Sequence, residues 1–131
     1  MEEKVMHLMR KGGITCLGDT PIRDVAQIMV VNSLRYCLVI NERHEVLGVI
    51  SARSILKGFD RDHETTTAKD ILLPYTITIT PYSPLKEAIA IMSKKRIEHL
   101  IVVSERPGSK AVLGLLHAED IISRMVNDEH K

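Results

Sequence analysis

Tryptophan is absent from the chain, phenylalanine occurs once, and aromatic residues make up 3% of its 131 positions. Four aromatics (Tyr36, Phe59, Tyr75 and Tyr82) cannot build the stacking platform that single-stranded nucleic acid requires. An excess of charge is missing too: 18 basic residues face 17 acidic ones, a net charge of +1. Neutralising a phosphate backbone needs a basic patch, so nucleic acid is excluded as the main partner. No apolar run approaches the ~18 residues of a membrane span. The start, Met1-Glu2-Glu3-Lys4, is acidic and mixed, unlike a signal peptide. Cysteine occurs twice, at Cys16 and Cys37, a separation that fits no metal or redox motif. Two buried thiols in a reducing, cytoplasmic setting are expected. The catalytic signatures are also lacking. There is no Gly-x-Ser-x-Gly, no glycine-rich phosphate loop followed by Lys-Ser/Thr, and no His-Glu-x-x-His. The expectation is a protein that is not an enzyme.

What is present is a repeat. Thr20-Pro21-Ile22-Arg23-Asp24-Val25-Ala26-Gln27-Ile28-Met29 aligns with Ser83-Pro84-Leu85-Lys86-Glu87-Ala88-Ile89-Ala90-Ile91-Met92 at an offset of 63. Leu38-Val39-Ile40-Asn41-Glu42-Arg43 continues onto Ile101-Val102-Val103-Ser104-Glu105-Arg106. An insertion near Pro107-Gly108-Ser109 then moves the offset to 66, where Val46-Leu47-Gly48-Val49-Ile50 meets Val112-Leu113-Gly114-Leu115-Leu116. Cys16 and Cys37 fall opposite Ile79 and Leu100, which supports reading both as core thiols. The chain is a tandem duplication. A unit of ~60 residues buries only about 60% of its unfolded surface and is marginal alone, so the halves are expected to share a core.

Each copy has the same local grammar. A short strand (Ile14 to Leu17; Thr76 to Thr80) leads to Thr20 or Ser83 as N-cap, with Pro21 or Pro84 at the first helical position. Apolar residues follow at helical spacing: Ile22, Val25, Ala26, Met29 and Leu85, Ala88, Ile89, Met92. A β-rich run (Tyr36 to Ile40; His99 to Val103) then joins a second one in a hairpin through Gly48 or Gly114. A closing helix starts near Ala52 or Ala118 and carries Ile55 and Leu56, or Ile121 and Ile122. The unit reads β-α-β-β-α, an α/β (α+β) fold with two helices covering a three-stranded sheet. Lys4-Val5-Met6-His7-Leu8-Met9 and the segment from Thr65 to Leu73 are similar, and each is expected to lead into its own repeat. The repeats are drawn at 4–62 and 63–127. The polar stretch between them holds Asp60, Asp62, His63 and Glu64, read as solvated loop and not as a metal site.

These pieces, present twice and in order, resemble a pair of CBS domains, named for cystathionine β-synthase. The resemblance implies two repeats packed sheet to sheet about a pseudo-twofold axis, with two clefts between them. It further implies a regulatory module that binds adenosyl ligands (AMP, ADP, ATP or S-adenosylmethionine), forms a homodimer and acts on a separate client protein. In the family each cleft takes Gly-apolar-apolar-Ser/Thr-x-x-Asp from one repeat and base-holding strand residues from the other.

The two copies of that motif differ. In Gly114-Leu115-Leu116-His117-Ala118-Glu119-Asp120 the acid is kept and His117 replaces the hydroxyl residue. The resemblance implies that Asp120 binds ribose, that Ile14 and Leu34 sandwich the base, that the Thr15 backbone reads its edge, and that Tyr36 and, as a donor, His117 belong to the same cleft. Arg35 is the cation expected to grip phosphate. In Gly48-Val49-Ile50-Ser51-Ala52-Arg53-Ser54 the hydroxyl of Ser51 is kept and Ser54 replaces the acid. With Ile77, Thr78, Ile97, Glu98 and His99 as implied partners, this second cleft is expected to be weak or empty.

Plainer roles stand beside these. A carboxylate at Asp120 can simply favour a helix start. Arg35 can be an exposed charge and His99 a structural histidine; His7, His44 and His130 lie in turns or termini, and the methionines read as core filler. A pure interaction module is the rival reading. Val30, Val31 and Leu34 extend the apolar face of the first helix, where the second copy has Ser93, Lys94 and Lys95, and such a face needs a cover.

Overall fold

The two β-rich runs become the central strands of two sheets in the computed structural model, which describes residues 2–73 and 77–129. The chain divides into two compact units. One is Ile14–Thr76; the other joins Met1–Gly13 to Ile77–Lys131. The mixed α+β class holds in both. Tyr75, Thr76 and His130 lie outside the described residues.

In the Ile14–Thr76 unit, β2 (Thr15–Leu17) runs parallel to β3 (Tyr36–Ile40), and β3 pairs antiparallel with β4 (Val46–Ser51). A parallel pair needs a crossover, supplied by α1 (Ile22–Val31); α2 (Ala52–Lys57) and α3 (Ala68–Ile71) follow β4. Ile22, Val25 and Met29 recur at steps of three and four and are the buried face of α1. The core joins Val25 and Met29 to Cys16, Cys37, Val39, Ile50 and Ala68. Both cysteines are buried and free. The adjacent Cys37 thiol, with burial, pushes the Cys16 thiol upward, which suits a packing role.

The other unit repeats this with β5 (Thr78–Ile79), α4 (Leu85–Lys95), β6 (His99–Val103), β7 (Val112–His117) and α5 (Ala118–Glu129). Its core is the same set shifted along the chain: Ile79, Ala88, Met92, Leu100, Val102 and Leu116, with Val5 where the first unit has Ala68. The sheet has four strands in the order β1-β7-β6-β5, the added one being β1 (Arg10–Lys11).

Several expectations are corrected. The two short leaders do not serve the repeats they precede: the turn at Val5–His7 packs with the second copy, and α3 with the first. Division by packing therefore departs from the division by chain order at 62/63. Thr20 and Ser83 are not N-caps; Pro21 and Pro84 hold that position, with no side-chain cap bond. The leaders satisfy the helix starts instead. Ile22 N–H donates to the Thr66 carbonyl at 2.9 Å and Leu85 N–H to the Glu3 carbonyl at 2.8 Å. In return the Ala68 and Val5 N–H groups donate to the carbonyls of Thr20 and Ser83, at 2.8 and 2.9 Å. The hairpins are as expected, with Gly48 and Gly114 inside their second strands, β4 and β7. The first hairpin turns at Asn41–Glu45, where the Asn41 side-chain oxygen accepts from the N–H groups of Arg43 and Glu45. Ile89, Leu56, Ile122 and Met125 are exposed, not core.

The glycines have another task. A Cβ on Gly114 would stand 2.3 Å from the Arg10 carbonyl oxygen, and one on Gly48 would stand 2.7 Å from that of Leu73. Each glycine lets a leader lie against the sheet: Arg10 and Lys11 pair with Leu115 and Gly114, and Leu73 bridges Val49.

Candidate functional site

The Gly-to-acid motif folds alike in both units, as the end of a strand running directly into a helix. In one unit β7 delivers His117 and α5 begins at Ala118, so Asp120 sits in the first turn. There a carboxylate complements the positive end of the helix. The backbone of the turn is fixed by the Ala118 N–H donating to the Glu98 carbonyl at 2.8 Å.

Asp120 is held by a residue that sequence reasoning missed. Arg10 donates from Nε to Asp120 Oδ2 at 3.0 Å and from Nη2 to Oδ1 at 3.1 Å, a two-pronged ion pair. The Asp120 side chain is 23% exposed and that of Arg10 59%. The pair thus lies at the surface, with the carboxylate as its more sheltered member. The Asp120 carboxylate also holds the Arg10 guanidinium above its ordinary pKa. The only prior signal was that Gly48 and Gly114 align, which marks a close backbone approach at both places.

His99 and His117 face each other across β6 and β7. Burial, reinforced by the nearby His117, holds His99 below the ordinary histidine pKa. The folded chain therefore binds fewer protons there than the unfolded chain, whose histidine titrates near ~6.5. The contribution of His99 is complete above that pH and is lost as pH falls through the lowered folded value. Melting curves from pH 8 to pH 5 are expected to show a decline below pH ~6.5 that His99→Gln flattens. An undiminished decline in the variant would assign it to another group.

The corresponding turn of the other unit is closed on itself. Ser51 is the N-cap of α2: its Oγ accepts from Ser54 N–H at 3.3 Å, and Ser54 Oγ accepts from Ser51 N–H at 3.2 Å. The two hydroxyl oxygens lie 3.2 Å apart, and Ser54 is 3% exposed. The Ser51 hydroxyl that the motif keeps is thus engaged in a capping box. In the sequence, two serines three apart at the head of a helix were its signature.

The remaining candidates are described within their own units. Ile14 is exposed, and its carbonyl oxygen lies 4.0 Å from the Cys37 sulfur. Thr15 starts β2, and Tyr36 is half-buried at the start of β3. Leu34 packs against its own core and Arg35 is exposed. Ile77 and Ile97 likewise pack against the core of their unit, whereas Thr78 and Glu98 are exposed. The loop after α2 spends its polar groups internally. Asp62 accepts from the N–H groups of Glu64 and Thr65, Glu64 pairs with Arg23 at 2.6 Å, and His63 Nε2 lies 2.6 Å from the Phe59 carbonyl. Among the described residues no group of three or more His, Cys, Asp or Glu side chains could hold a metal ion, and no helix is long and apolar enough to cross a membrane.

Comparison with known proteins bears on the fold and the family. Protein MJ0450 of Methanocaldococcus jannaschii is 29% identical over 120 residues, 88% of this chain and 62% of that protein. The mitochondrial CBS domain-containing protein CBSX3 of Arabidopsis thaliana is 24% identical over 123 residues, 88% of this chain and 57% of that one. The chain thus spans about three-fifths of the length of these two curated relatives. Among solved structures, the CBS domain pair of protein MJ0100, in complex with 5′-methylthioadenosine and S-adenosyl-L-methionine, superposes with a TM-score of 0.83 at 23% identity. That match covers 98% of this chain and 99% of the other. The CBS domain family matches residues 5–61 and again 68–127, and the chain therefore belongs to it, with two CBS domains in tandem.

Proposed function

We propose that this CBS pair is a regulatory module that senses an adenosyl ligand (AMP, ADP, ATP or S-adenosylmethionine), with one competent site anchored by Asp120. The observation that carries the reading is the difference between the two motif turns. One presents an ion-paired, partly sheltered carboxylate at a helix start; the other closes on itself through Ser51 and Ser54. A carboxylate has about four acceptor positions, and Arg10 uses two, leaving capacity for ribose hydroxyls. The base contacts assigned by family resemblance to Ile14, Leu34 and the Thr15 backbone belong to the same proposal. The module works by binding, not by catalysis, and passes its signal to a client.

Melting curves with each of the four ligands test this. A ligand present at 100 times its Kd stabilises the native state by about 2.7 kcal/mol, so at least one is expected to raise Tm. Calorimetry is expected to give one site per chain, and Asp120→Ala to weaken it tenfold or more, as loss of a charged hydrogen bond does. Two equal sites, or unchanged affinity in the variant, would overturn the assignment. The second reading, a self-associating interaction module, is favoured by exposed apolar side chains on α1 (Val30, Val31) and α5 (Ile122, Met125, Val126). It prevails if no ligand moves Tm and light scattering shows a dimer.

A further inference from the structure

Arg10 holds a place that neither the motif nor the repeat assigns. Its backbone is fixed twice over. The two-residue strand β1 pairs with β7, and the Gly12 N–H donates to the Leu113 carbonyl at 2.9 Å. Gly114 leaves the room for it, since any Cβ there would meet the Arg10 carbonyl. The side chain is oriented by a third constraint, the two hydrogen bonds to Asp120. Those bonds occupy Nε and Nη2. Among the described residues Nη1 makes no hydrogen bond, and the side chain is 59% exposed.

A guanidinium is a rigid fork with five N–H donors, so pinning one edge fixes the direction of the other. The Nη1 edge is thereby a preoriented donor pair beside the proposed ribose acceptor. Its complement is an oxyanion with two acceptor oxygens. Exposed Glu119 opposes an anion there, but only through solvent, where its field is weak.

We propose that Arg10 is the oxyanion-binding residue of the Asp120 site, and that Asp120 positions it. The group bound is the phosphate of an adenine nucleotide or the carboxylate of S-adenosylmethionine. This rests on the adenosyl reading above and replaces Arg35, which no neighbouring carboxylate orients among the described residues, as the cation expected there.

Two ligand pairs test the oxyanion: AMP against adenosine, which differ by the phosphate, and S-adenosylmethionine against 5′-methylthioadenosine, which differ by an arm carrying a carboxylate together with an ammonium and the sulfonium charge. Calorimetry on the whole chain is expected to show wild-type protein preferring the oxyanion-bearing member of at least one pair. The pair whose preference depends on Arg10 identifies phosphate or carboxylate as the source. Arg10→Ala is expected to lower affinity for that member about tenfold, as removal of a charge-assisted bond does, and to change its uncharged partner less than twofold. Arg10→Lys, a point charge without the fork, is expected to fall between them. The preference is also expected to weaken with added salt in wild type more than in Arg10→Ala. Equal loss for both members would make Arg10 a scaffold for β1, and tighter binding of adenosine would make it a mask over Asp120. Either result overturns the proposal alone, as does a preference that Arg35→Ala abolishes and Arg10→Ala leaves. Failure of wild type to bind any of the four overturns the adenosyl reading and this proposal with it.

Discussion

Gly114→Ala is expected to destabilise the protein by about 3 kcal/mol, the upper part of the range for overpacking a filled site. The added carbon would lie 2.3 Å from the Arg10 carbonyl oxygen and 3.1 Å from its carbon. Both are backbone atoms, so no side-chain rotation relieves the contact. The relief available is for β1 to lift from β7, which breaks the Arg10 and Lys11 pairing and takes Arg10 away from Asp120. Thermal melting is expected to fall by roughly 10 °C. Gly48→Ala is expected to cost less. Its nearest contacts, both at 2.7 Å, are a Leu72 methyl that can turn away and the carbonyl of Leu73, held by an isolated bridge. An unchanged melting temperature in Gly114→Ala would show that β1 is not seated against the sheet. The same variant bears on the site. If Arg10 leaves with β1, preference for an anionic ligand is lost along with stability, whereas Arg10→Ala loses the preference alone.

The parts of the fold that were legible in the sequence are those with a period or a copy. Residues 36–40 and 99–103 read as strands because a short apolar run rich in β-branched residues appears twice, and they are the central strands. Val25 and Met29, with their counterparts Ala88 and Met92, read as a helix face because burial recurs every three or four residues. Ile89 misled because an exposed apolar residue satisfies the same spacing. The leaders were misassigned for a different reason. Adjacency in sequence suggested that each serves the repeat after it, whereas carbonyls of Thr66 and Glu3 meet helix N–H groups remote along the chain. A two-residue strand has no alternation to read, so β1 was invisible. The Arg10–Asp120 pair spans 110 positions and has no local signature. Asp120 itself was legible because the motif keeps it. Its partner became visible only when the backbone packed against Gly114.

Leu100→Ala is expected to cost about 3–4 kcal/mol, within the range for deleting a fully buried leucine. Leu100 has no solvent exposure, and it faces Leu116, equally buried, across β6 and β7. Three carbons are removed, and the surrounding Val5, Ala88, Met92 and Val102 lie on elements that cannot collapse freely into the gap. The duplication supplies its own control. Cys37 holds the matching place in the other unit, also fully buried, where the wild-type side chain is already two heavy atoms smaller than leucine. Cys37→Ala removes only that sulfur and is expected to cost about 1 kcal/mol. Cys37→Leu is expected to destabilise by overpacking, because it adds two heavy atoms at a position with no solvent exposure. Urea titration of the three variants, with slopes compared to confirm an unchanged transition, checks the order. Equal costs for Leu100→Ala and Cys37→Ala would mean that the first cavity closes by rearrangement. A gain in stability from Cys37→Leu would mean that the first core is underpacked as it stands. The expected order instead makes the thiols a fitted pair, each sized to the other, and explains why two units with one grammar can carry different side chains at the same address.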